Sequence, residues 1–289
     1  MFGQFVINGL ITGILYSLLA IGFALVYNTT KIFHVAAAGI YVISAYAFWF
    51  GVDVLSLPMW IAAVFSIAVT MVCSYLCELL VYMPLKRKGA SNNICMVASI
   101  GIMTALVSLV AMLFGNTTKA IFWDAMDTYS FAGISLSKPQ MVQLISGTPI
   151  ILGFLALLRF SDVGIRLKAV SVNETLYTSL GYSLKGVRGL AFLLSGLFIA
   201  VAAILNVSEV GMDPNMGMGI LFNALIAMIL GGIGRFDACV IGGLILGLLQ
   251  SLVLMQFTSS WQNAITFVVL LVVLFVRPQG FLGYKQRVV

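Results

Sequence analysis

Charged residues are scarce in this sequence, and their scarcity excludes most classes of soluble protein. Asp, Glu, Lys and Arg make up 8% of the 289 residues, whereas 62% are hydrophobic. Apolar runs recur along the whole chain, and many reach the ~17–25 residues that a helix needs to cross a bilayer. A soluble core could not bury so much apolar surface, and exposed patches of this size would aggregate. The composition therefore predicts a membrane protein with several spans.

Side chains that perform chemistry are also rare. His34 is the single histidine, so the sequence offers no set of nucleophile, base and orienting group for covalent catalysis. The stretch GGIGRFDACV (231–240) lacks the Lys-Ser/Thr that completes a phosphate-binding loop. The four cysteines lie in or beside apolar runs, which favours packing over metal binding. We expect a protein that is not an enzyme and that holds no metal and no cofactor of its own.

Nine apolar runs are candidate transmembrane helices, at 5–27, 34–51, 58–83, 94–115, 140–158, 187–206, 219–233, 239–256 and 260–276. Lipid-spanning backbone must satisfy its own hydrogen bonds, and the runs lack the ten-residue alternation of barrel strands. The runs at 34–51 and 219–233 are short, so the sequence is consistent with eight to ten crossings. The predicted fold is an all-α polytopic transmembrane helix bundle that forms a single domain over residues 1–289.

The few charges are distributed unevenly between the two sides of the predicted bundle. With nine crossings, one side receives 13 of the 15 cations: Lys31, Lys86, Arg87, Lys88, Arg159, Arg166, Lys168, Lys185, Arg188, Arg235, Arg277, Lys285 and Arg287. The other side receives Lys119 and Lys138, with Asp53, Asp124, Asp127, Glu209 and Asp213. Cytoplasmic loops are rich in Lys and Arg, which predicts the N-terminus outside and the C-terminus in the cytoplasm. The net charge of +6 thus reflects topology, and nucleic acid is not an expected partner.

One cytoplasmic connection, GIRLKAVSVNETLYTSLGYSLKGVRG (164–189), is longer and more polar than the others. Three- and four-residue spacing, typical of a short helix on a surface, relates Leu167, Val170, Glu174, Tyr177 and Gly181. Asn173 is placed to cap a second short helix. Two interpretations are open: an amphipathic loop resting on anionic lipid headgroups, or a docking element for a soluble partner.

This stretch resembles the cytoplasmic coupling segment of bacterial ABC importer permeases of the branched-chain amino acid type. The matching positions are Gly164, Leu167, Lys168, Ala169, Val170, Glu174, Leu180 and Gly181, and Val187 and Arg188 extend the match. Further segments agree in the family's order: CELLVYMPLKRKGA (77–90), ASIGI (98–102), GGIGRFDACVIGGLILGLLQ (231–250) and VRPQGFLG (276–283). The chain resembles the shorter of the two permease subunit types over roughly residues 5 to 283.

Several positions depart from the family's pattern. His34 stands where the family usually has Asn, and Asn223 where many relatives carry Lys. Arg235 replaces the usual Ser, and Met83 replaces Arg. The first two lie where helices approach the pathway, so the substrate need not be a branched-chain amino acid.

The resemblance implies a permease subunit that imports a small polar solute: a branched-chain or other amino acid, or an amide such as urea. It also implies a second permease subunit, often a different and longer one, two cytoplasmic ATPase subunits that bind the ATP, and an extracytoplasmic substrate-binding protein, all at a bacterial cytoplasmic (inner) membrane. The ATPases would act on a coupling segment at residues 160–187. Its candidate coupling residues are Arg166, Lys168, Ala169, Val170, Glu174, Leu180 and Gly181. Gly181 is expected where the backbone bends or packs closely.

Polar residues on apolar helices are candidates for the translocation pathway, namely Asn8, Thr12, Tyr16, His34, Tyr46 and Asn223. Glu78 should form a structural ion pair with a cation of the polar loop, because an unpaired carboxylate in hydrocarbon is costly. The remaining structural candidates are Pro84, Arg277 and Pro278 in the family motifs, and the glycines Gly231, Gly232, Gly234, Gly242 and Gly243, which allow helices to approach closely.

Two other functions fit a polytopic bundle. An ion-coupled secondary transporter would need ionisable residues near the membrane midplane, and apart from Glu78 the apolar runs offer almost none. A structural membrane protein without a transport path would leave the polar segment and the glycine motif unexplained. The importer interpretation accounts for both features.

Overall fold

The computed structural model describes residues 2–121, 128–131, 134–258, 260–277 and 279–283. Five residues that enter the sequence analysis lie outside these ranges: Asp124, Asp127, Pro278, Lys285 and Arg287. The helices are α1 (Phe2–Thr30), α2 (Ala37–Trp49), α3 (Met59–Cys77), α4 (Met83–Arg87), α5 (Asn92–Phe114), α6 (Lys138–Phe160), α7 (Asp162–Val172), α8 (Glu174–Ser179), α9 (Leu184–Val210), α10 (Met216–Gly231), α11 (Phe236–Val253) and α12 (Ser260–Val276).

Two π-helical segments and one hairpin complete the described secondary structure. The segments Phe50–Val54 and Glu78–Tyr82 continue α2 and α3. The antiparallel strands β1 (Thr128–Phe131) and β2 (Ile134–Ser137) pair with Thr128 opposite Ser137. The hairpin was not predicted from the sequence, although residues 128–131 (TYSF) and 134–137 (ISLS) alternate polar and apolar side chains, because each strand has only four residues.

The apolar helices confirm the predicted polytopic all-α fold. Among the described residues, seven helices are long and apolar enough to cross a membrane, and shorter apolar helices occur at Met216–Gly231 and Ala264–Val276. Each of the nine predicted spans falls on one of these nine helices. The two short runs singled out in the sequence correspond to α2, which needs its π-helical extension to reach 18 residues, and to the 16-residue α10.

The chain divides into two compact units. One comprises residues 25–122 and 156–221, and its centre is the packing of α3 on α9 and on α2. At Gly196 of α9, an added Cβ would lie 2.9 Å from the Cα of Met71 on α3, so only glycine allows this approach. Hydroxyls join the same helices, because Ser74 donates to the carbonyl oxygen of Phe192 at 2.7 Å and Ser66 to that of Ser44 at 2.7 Å.

The other unit comprises residues 1–24, 123–155 and 222–289, and α1 packs on α11 within it. Gly9 and Gly13 of α1 face Leu248 and Leu244 of α11, whose Cα atoms would lie 2.9 Å from an added Cβ. Ser251 of α11 also donates to the carbonyl oxygen of Phe5 at 2.5 Å. This is the close helix packing that the Gly-x-x-x-Gly spacing predicts.

Backbone pairing in the unit of residues 25–122 and 156–221 agrees with the predicted alternation of loops. The main chains of Lys119, after α5, and Met212, after α9, exchange hydrogen bonds of 2.9 and 2.7 Å. At the connections assigned to the other side, Lys31 donates to the carbonyl oxygen of Ser171 at 3.2 Å. Loops that the sequence places on one side therefore do meet, and which side is cytoplasmic stays a prediction from the charges.

Candidate functional site

The coupling segment, residues 160–187, contains two short capped helices. The Ser161 side chain accepts a hydrogen bond from the Val163 N–H at the start of α7. The Asn173 side chain accepts one from the Leu176 N–H, 2.9 Å away, at the start of α8. Each cap satisfies a backbone donor that the helix leaves unpaired. The second helix predicted after Asn173 is confirmed.

One face of α7 anchors the segment, and the opposite face is open. Leu167 and Val170 are buried, whereas Arg166, Lys168 and Ala169 are exposed. Val170 was predicted as a coupling residue together with the exposed ones. Its burial makes it part of the anchor, because its side chain is covered by the chain itself.

Leu180 and Gly181 form the turn that follows α8, and both are exposed. Gly181 has a φ angle of +84°, a backbone conformation that costs other residues about 1–2 kcal/mol. Nothing lies within 4 Å of the position of an added Cβ. Of the two expected roles of Gly181, the bend is therefore present and the close packing is not.

A cavity of about 340 Å³ lies between α7, α8 and the start of α9. Tyr177 and Tyr182 line it with their rings stacked, 5.2 Å between centroids, and Arg166 and Val187 lie on other walls. The cavity gives the segment a recess in which an apolar or aromatic group could be held. The cavity was not predicted from the sequence, because the spacing of residues along α7 and α8 does not show how the two helices are arranged around it.

Lys31 connects the coupling segment to the loop before α2. Its ammonium donates to the carbonyl oxygen of Ser171 in the last turn of α7, where a cation is favourable because helix carbonyls point outward there. Burial lowers the pKa of Lys31, and the carboxylate of Glu174 opposes that shift. Glu174, half-buried and predicted as a coupling residue, thus also acts on Lys31 within the chain.

The ion pair predicted for Glu78 is present. Nε of Arg188 lies 2.7 Å from Oε1 of Glu78, and Nη2 lies 3.2 Å from Oε2, so the guanidinium binds the carboxylate with two donors. Glu78 is buried and Arg188 nearly so. Pro84, also predicted as structural, lies in α4 just after the π-helical segment Glu78–Tyr82 and has no N–H to donate to the turn before it.

His34 belongs to a buried chain of hydrogen bonds. Its Nδ1 lies 2.8 Å from the Tyr82 hydroxyl, which donates to Ser99 Oγ at 2.8 Å. Ser99 Oγ also accepts from the N–H of Ala36 at 2.7 Å. The His34 side chain is fully buried, so it fixes the start of α2 and does not face an open passage in this state.

Among the other pathway candidates, Tyr16 and Asn223 come together around a glutamine. The Gln250 Oε1 accepts hydrogen bonds from the Tyr16 hydroxyl at 2.6 Å and from Gln262 at 2.9 Å. The Gln250 Nε2 donates to Asn223 at 3.3 Å and to Thr266 at 2.9 Å. We call these five residues the Gln250 cluster.

Gln250, Gln262 and Thr266 were not predicted from the sequence. The signal available was the four-residue spacing of Gln262 and Thr266 on α12, together with a lone glutamine in the apolar run of α11. Sequence spacing does not show that the two helices present these groups to each other.

The remaining pathway candidates are not joined to this cluster by described hydrogen bonds. Asn8 and Thr12 lie about two turns and one turn before Tyr16 on α1, respectively, and are half-buried. Asn8 accepts a hydrogen bond from Gln4, whose amide also pairs with the backbone of Ser135 in β2. Tyr46 is buried in the other compact unit, where its ring packs against Phe114.

The glycine motif and the C-terminal motif pack against each other. The N–H groups of Phe281 and Leu282 donate to the carbonyl oxygens of Leu230 and Gly231 at 2.9 Å. Gly280 has a φ angle of +76°, and an added Cβ there would lie 2.4 Å from the carbonyl oxygen of Ile229 and 2.7 Å from the Cα of Gly232. The C-terminal segment thus provides hydrogen-bond donors for the last two carbonyl groups of α10.

The predicted structural residues of this region fall into three groups. At Gly231, Gly232, Gly242 and Gly243 an added Cβ would meet backbone, namely that of Ala238, Gly283, Ala227 and Ser17 respectively. Gly234 lies in the turn before α11 with no atom within 4 Å of an added Cβ. Arg277 has an exposed side chain, and Pro278 lies outside the described residues. Arg235, the departure from the family's Ser, pairs with Asp237 and donates to the carbonyl oxygen of Leu282.

Comparison with known proteins gives the family of the chain. The family described as "Branched-chain amino acid transport system / permease component" matches residues 5–274. The high-affinity branched-chain amino acid transport system permease protein BraD of Pseudomonas aeruginosa is 28% identical over 297 residues, covering 98% of this chain and 96% of BraD. LivH of Escherichia coli, a permease protein of the same description, is 27% identical and covers 99% of this chain and 96% of LivH.

A solved structure shows the same fold at low sequence identity. A chain of PsaBC from Streptococcus pneumoniae, solved in complex with Fab, aligns over 100% of this chain and 98% of its own length. The TM-score is 0.50 and the identity 14%, so this likeness concerns the fold alone. The family match, in contrast, spans nearly all of the sequence. The chain therefore belongs to the permease component family of branched-chain amino acid transport systems.

Proposed function

We propose that this chain is the permease subunit of an ABC importer in which cytoplasmic ATPases act on the coupling segment. The observation that carries the proposal is the construction of that segment. It is anchored by buried Leu167 and Val170 while Arg166, Lys168 and Ala169 face outward. The two helices are already ordered by their caps and their buried anchor, so little conformational entropy is lost when a partner binds the open face. A rigid element of this kind can pass a movement of the partner on to the bundle.

The assembly needs partners that supply what this chain lacks. ATP binds to two ATPase subunits, a second permease subunit, different and longer, completes the membrane pathway, and an extracytoplasmic protein delivers the solute. ATPase closure changes the bundle from inward-facing to outward-facing. The N-terminus lies outside and the C-terminus in the cytoplasm, which places residues 160–187 on the ATPase side. Purified protein without its ATPases should bind no nucleotide in an equilibrium binding assay.

The imported solute is a small polar molecule: a branched-chain or other amino acid, or an amide such as urea. BraD and LivH are named as branched-chain amino acid permeases, which supports the first class. The Gln250 cluster is neutral and offers amide and hydroxyl groups, which suit an uncharged or zwitterionic solute. Uptake of radiolabelled leucine and urea with the cognate binding protein distinguishes the two classes.

Charge reversal separates ATPase docking from simple lipid contact. Lys168 and Lys88 are both exposed cations on connections assigned to the cytoplasm. In the docking proposal, Lys168→Glu weakens co-purification of the ATPases and Lys88→Glu leaves it unchanged. If the segment only rests on anionic lipid, each lysine contributes about 1 kcal/mol to membrane affinity, and both variants retain the ATPases. Retention of the ATPases and of full uptake by Lys168→Glu contradicts the proposal.

A further inference from the structure

Two polar connections lead to the same loop, residues 31–36, one from the coupling segment and one from Arg188, the residue that directly follows the segment. The first is the hydrogen bond from Lys31 to the carbonyl oxygen of Ser171 at the end of α7. The second begins at Arg188, in the first turns of α9, and passes through Glu78 and Tyr82 to His34. All of these residues lie in one compact unit. Two separate contacts with one short loop indicate that the loop is mechanically linked to α7 and to the start of α9.

The Arg188–Glu78 pair is built to hold during movement. Two donors of the guanidinium meet two oxygens of the carboxylate, and both side chains are largely buried. Separating such a pair would leave a buried charge without a partner, which is strongly unfavourable. When the start of α9 moves, Glu78 therefore moves with it.

The π-helical segment Glu78–Tyr82 joins the ion pair to the buried hydrogen bonds. Glu78 is its first residue and Tyr82 its last. The N–H of Met83 donates to the carbonyl oxygen of Glu78, five residues back, and Pro84 follows with no N–H to donate. A π-helical turn is less favourable than α-helix and is frequent at functional sites. The segment is thus a place where a helix can change its winding at low cost.

Tyr82 connects the loop before α2 to helix α5. Its hydroxyl forms hydrogen bonds of 2.8 Å with Nδ1 of His34, in the loop before α2, and with Oγ of Ser99 on α5. Ser99 in turn holds the N–H of Ala36, just before α2. Displacement of Tyr82 is therefore passed to the start of α2 and to α5.

We propose that Glu78–Tyr82 transmits movement of the coupling segment to the loop 31–36 and to α2. Glu78, Arg188 and Tyr82 act as positioning residues, because none of them needs to touch ATP or the solute. This inference rests on the proposed function, since it takes residues 160–187 to be the ATPase contact. Lys31 supplies the parallel contact from α7, which keeps the loop aligned with the segment.

The test measures solute imported per ATP hydrolysed by the purified transporter, with its ATPases and second permease, in vesicles. This ratio does not depend on how much protein is present, so a purely structural defect would not move it. In Glu78→Gln and in Tyr82→Phe we expect the ratio to fall about five-fold or more, in the range of typical coupling energies. The ATPases should still co-purify with both variants.

Two further variants control and rescue the effect. Asp53 is an exposed carboxylate in the other π-helical segment, so Asp53→Asn is the matched control and should keep the wild-type ratio. Exchanging the charges, with Glu78→Arg and Arg188→Glu together, should recover part of the ratio that Glu78→Gln loses.

Specific outcomes overturn the inference. An unchanged ratio in Tyr82→Phe does so even if Glu78→Gln fails to fold. Loss of the ATPases from Tyr82→Phe protein that keeps the wild-type thermal midpoint also does so, because it would assign Tyr82 to docking. A different result would refute the proposed function: the wild-type protein itself would fail to retain the ATPases, or would import solute without ATP.

Discussion

At the scale of single residues, Gly181 tests whether the bend after α8 matters for coupling. Its φ of +84° is a left-handed conformation, and the space around it is open. Gly181→Val should therefore strain the backbone without a clash, at a cost of about 1–2 kcal/mol. Asn adopts this conformation more readily, so Gly181→Asn is the matched control. We expect ATPase co-purification and uptake to drop for Val and to remain near wild type for Asn; equal loss for both would show that side-chain bulk, not the bend, is decisive.

Gln250 is a second residue whose role can be isolated. Its amide forms hydrogen bonds with four side chains of the Gln250 cluster, so Gln250→Leu leaves one buried and three half-buried polar groups without this partner. Hydrogen bonds between membrane helices average about 0.6 kcal/mol and reach about 1.7 kcal/mol. We expect a thermal midpoint several degrees lower in detergent, whereas Gln256→Leu, at an exposed position just beyond α11, should change little. Equal midpoints would show that the cluster contributes no stability.

Single residues also show what sequence reasoning can reach. The pairing of Glu78 follows from the cost of a bare carboxylate in hydrocarbon, so a partner was predictable, and Arg188 was one of several loop cations that could fill that role. Gln250 was not found, because a polar residue in an apolar run gives no indication of which helices surround it. Val170 was predicted as a coupling residue, and the structure buries its side chain; a family resemblance does not distinguish buried from exposed positions.

At the scale of elements, the packing of α1 on α11 depends on glycines at which the two helix backbones are in direct contact. An added Cβ at Gly247 of α11 would run into the backbone of Gly13 on α1, whereas Gly101 of α5 has nothing within 4 Å. Gly247→Ala should thus destabilise the protein by about 1–3 kcal/mol through overpacking. Gly101→Ala should be neutral or stabilising by up to about 1 kcal/mol through helix propensity. Thermal unfolding of both variants in detergent checks this, and a stable Gly247→Ala would mean that α1 and α11 can separate freely.

The elements differ in how far the sequence predicts them. Long apolar helices such as α1 and α5 follow directly from length and composition, and the cap at Asn173 from residue type. The π-helical segments were not predicted, because their sequences read as ordinary helix. Pro84 was the only nearby signal, since a residue without an N–H disturbs the hydrogen bonding of the turn before it.

At the scale of the whole molecule, two distant motifs prove to be one structural feature. The family resemblance singles out the glycine motif and the C-terminal motif separately, and the structure places Gly232 against Gly283 with backbone hydrogen bonds beside them. Sequence reasoning predicted close packing at the glycines but not its partner, because 25 residues of chain separate the two motifs, at 231–250 and 276–283. The Gln250 cluster was likewise not predicted as a unit, because Asn223 on α10 donates to the Tyr16 hydroxyl on α1, at 3.3 Å, only once the chain has folded.

The orientation of the chain in the membrane is the last prediction, and a single helix decides it. Lys88 and Thr117 are exposed on either side of α5, and at 1.5 Å per residue its 23 residues span about 35 Å, enough for a hydrocarbon core of about 30 Å. The two sites must therefore lie on opposite faces. In a variant with Cys73, Cys77, Cys95 and Cys239 replaced by serine, a membrane-impermeant maleimide should label Thr117→Cys in intact cells and Lys88→Cys only after lysis. A C-terminal reporter that works only in the cytoplasm should be active.

The reverse labelling pattern would invert the topology and move residues 160–187 away from any cytoplasmic ATPase. Labelling of both sites from outside would show that α5 does not cross the membrane.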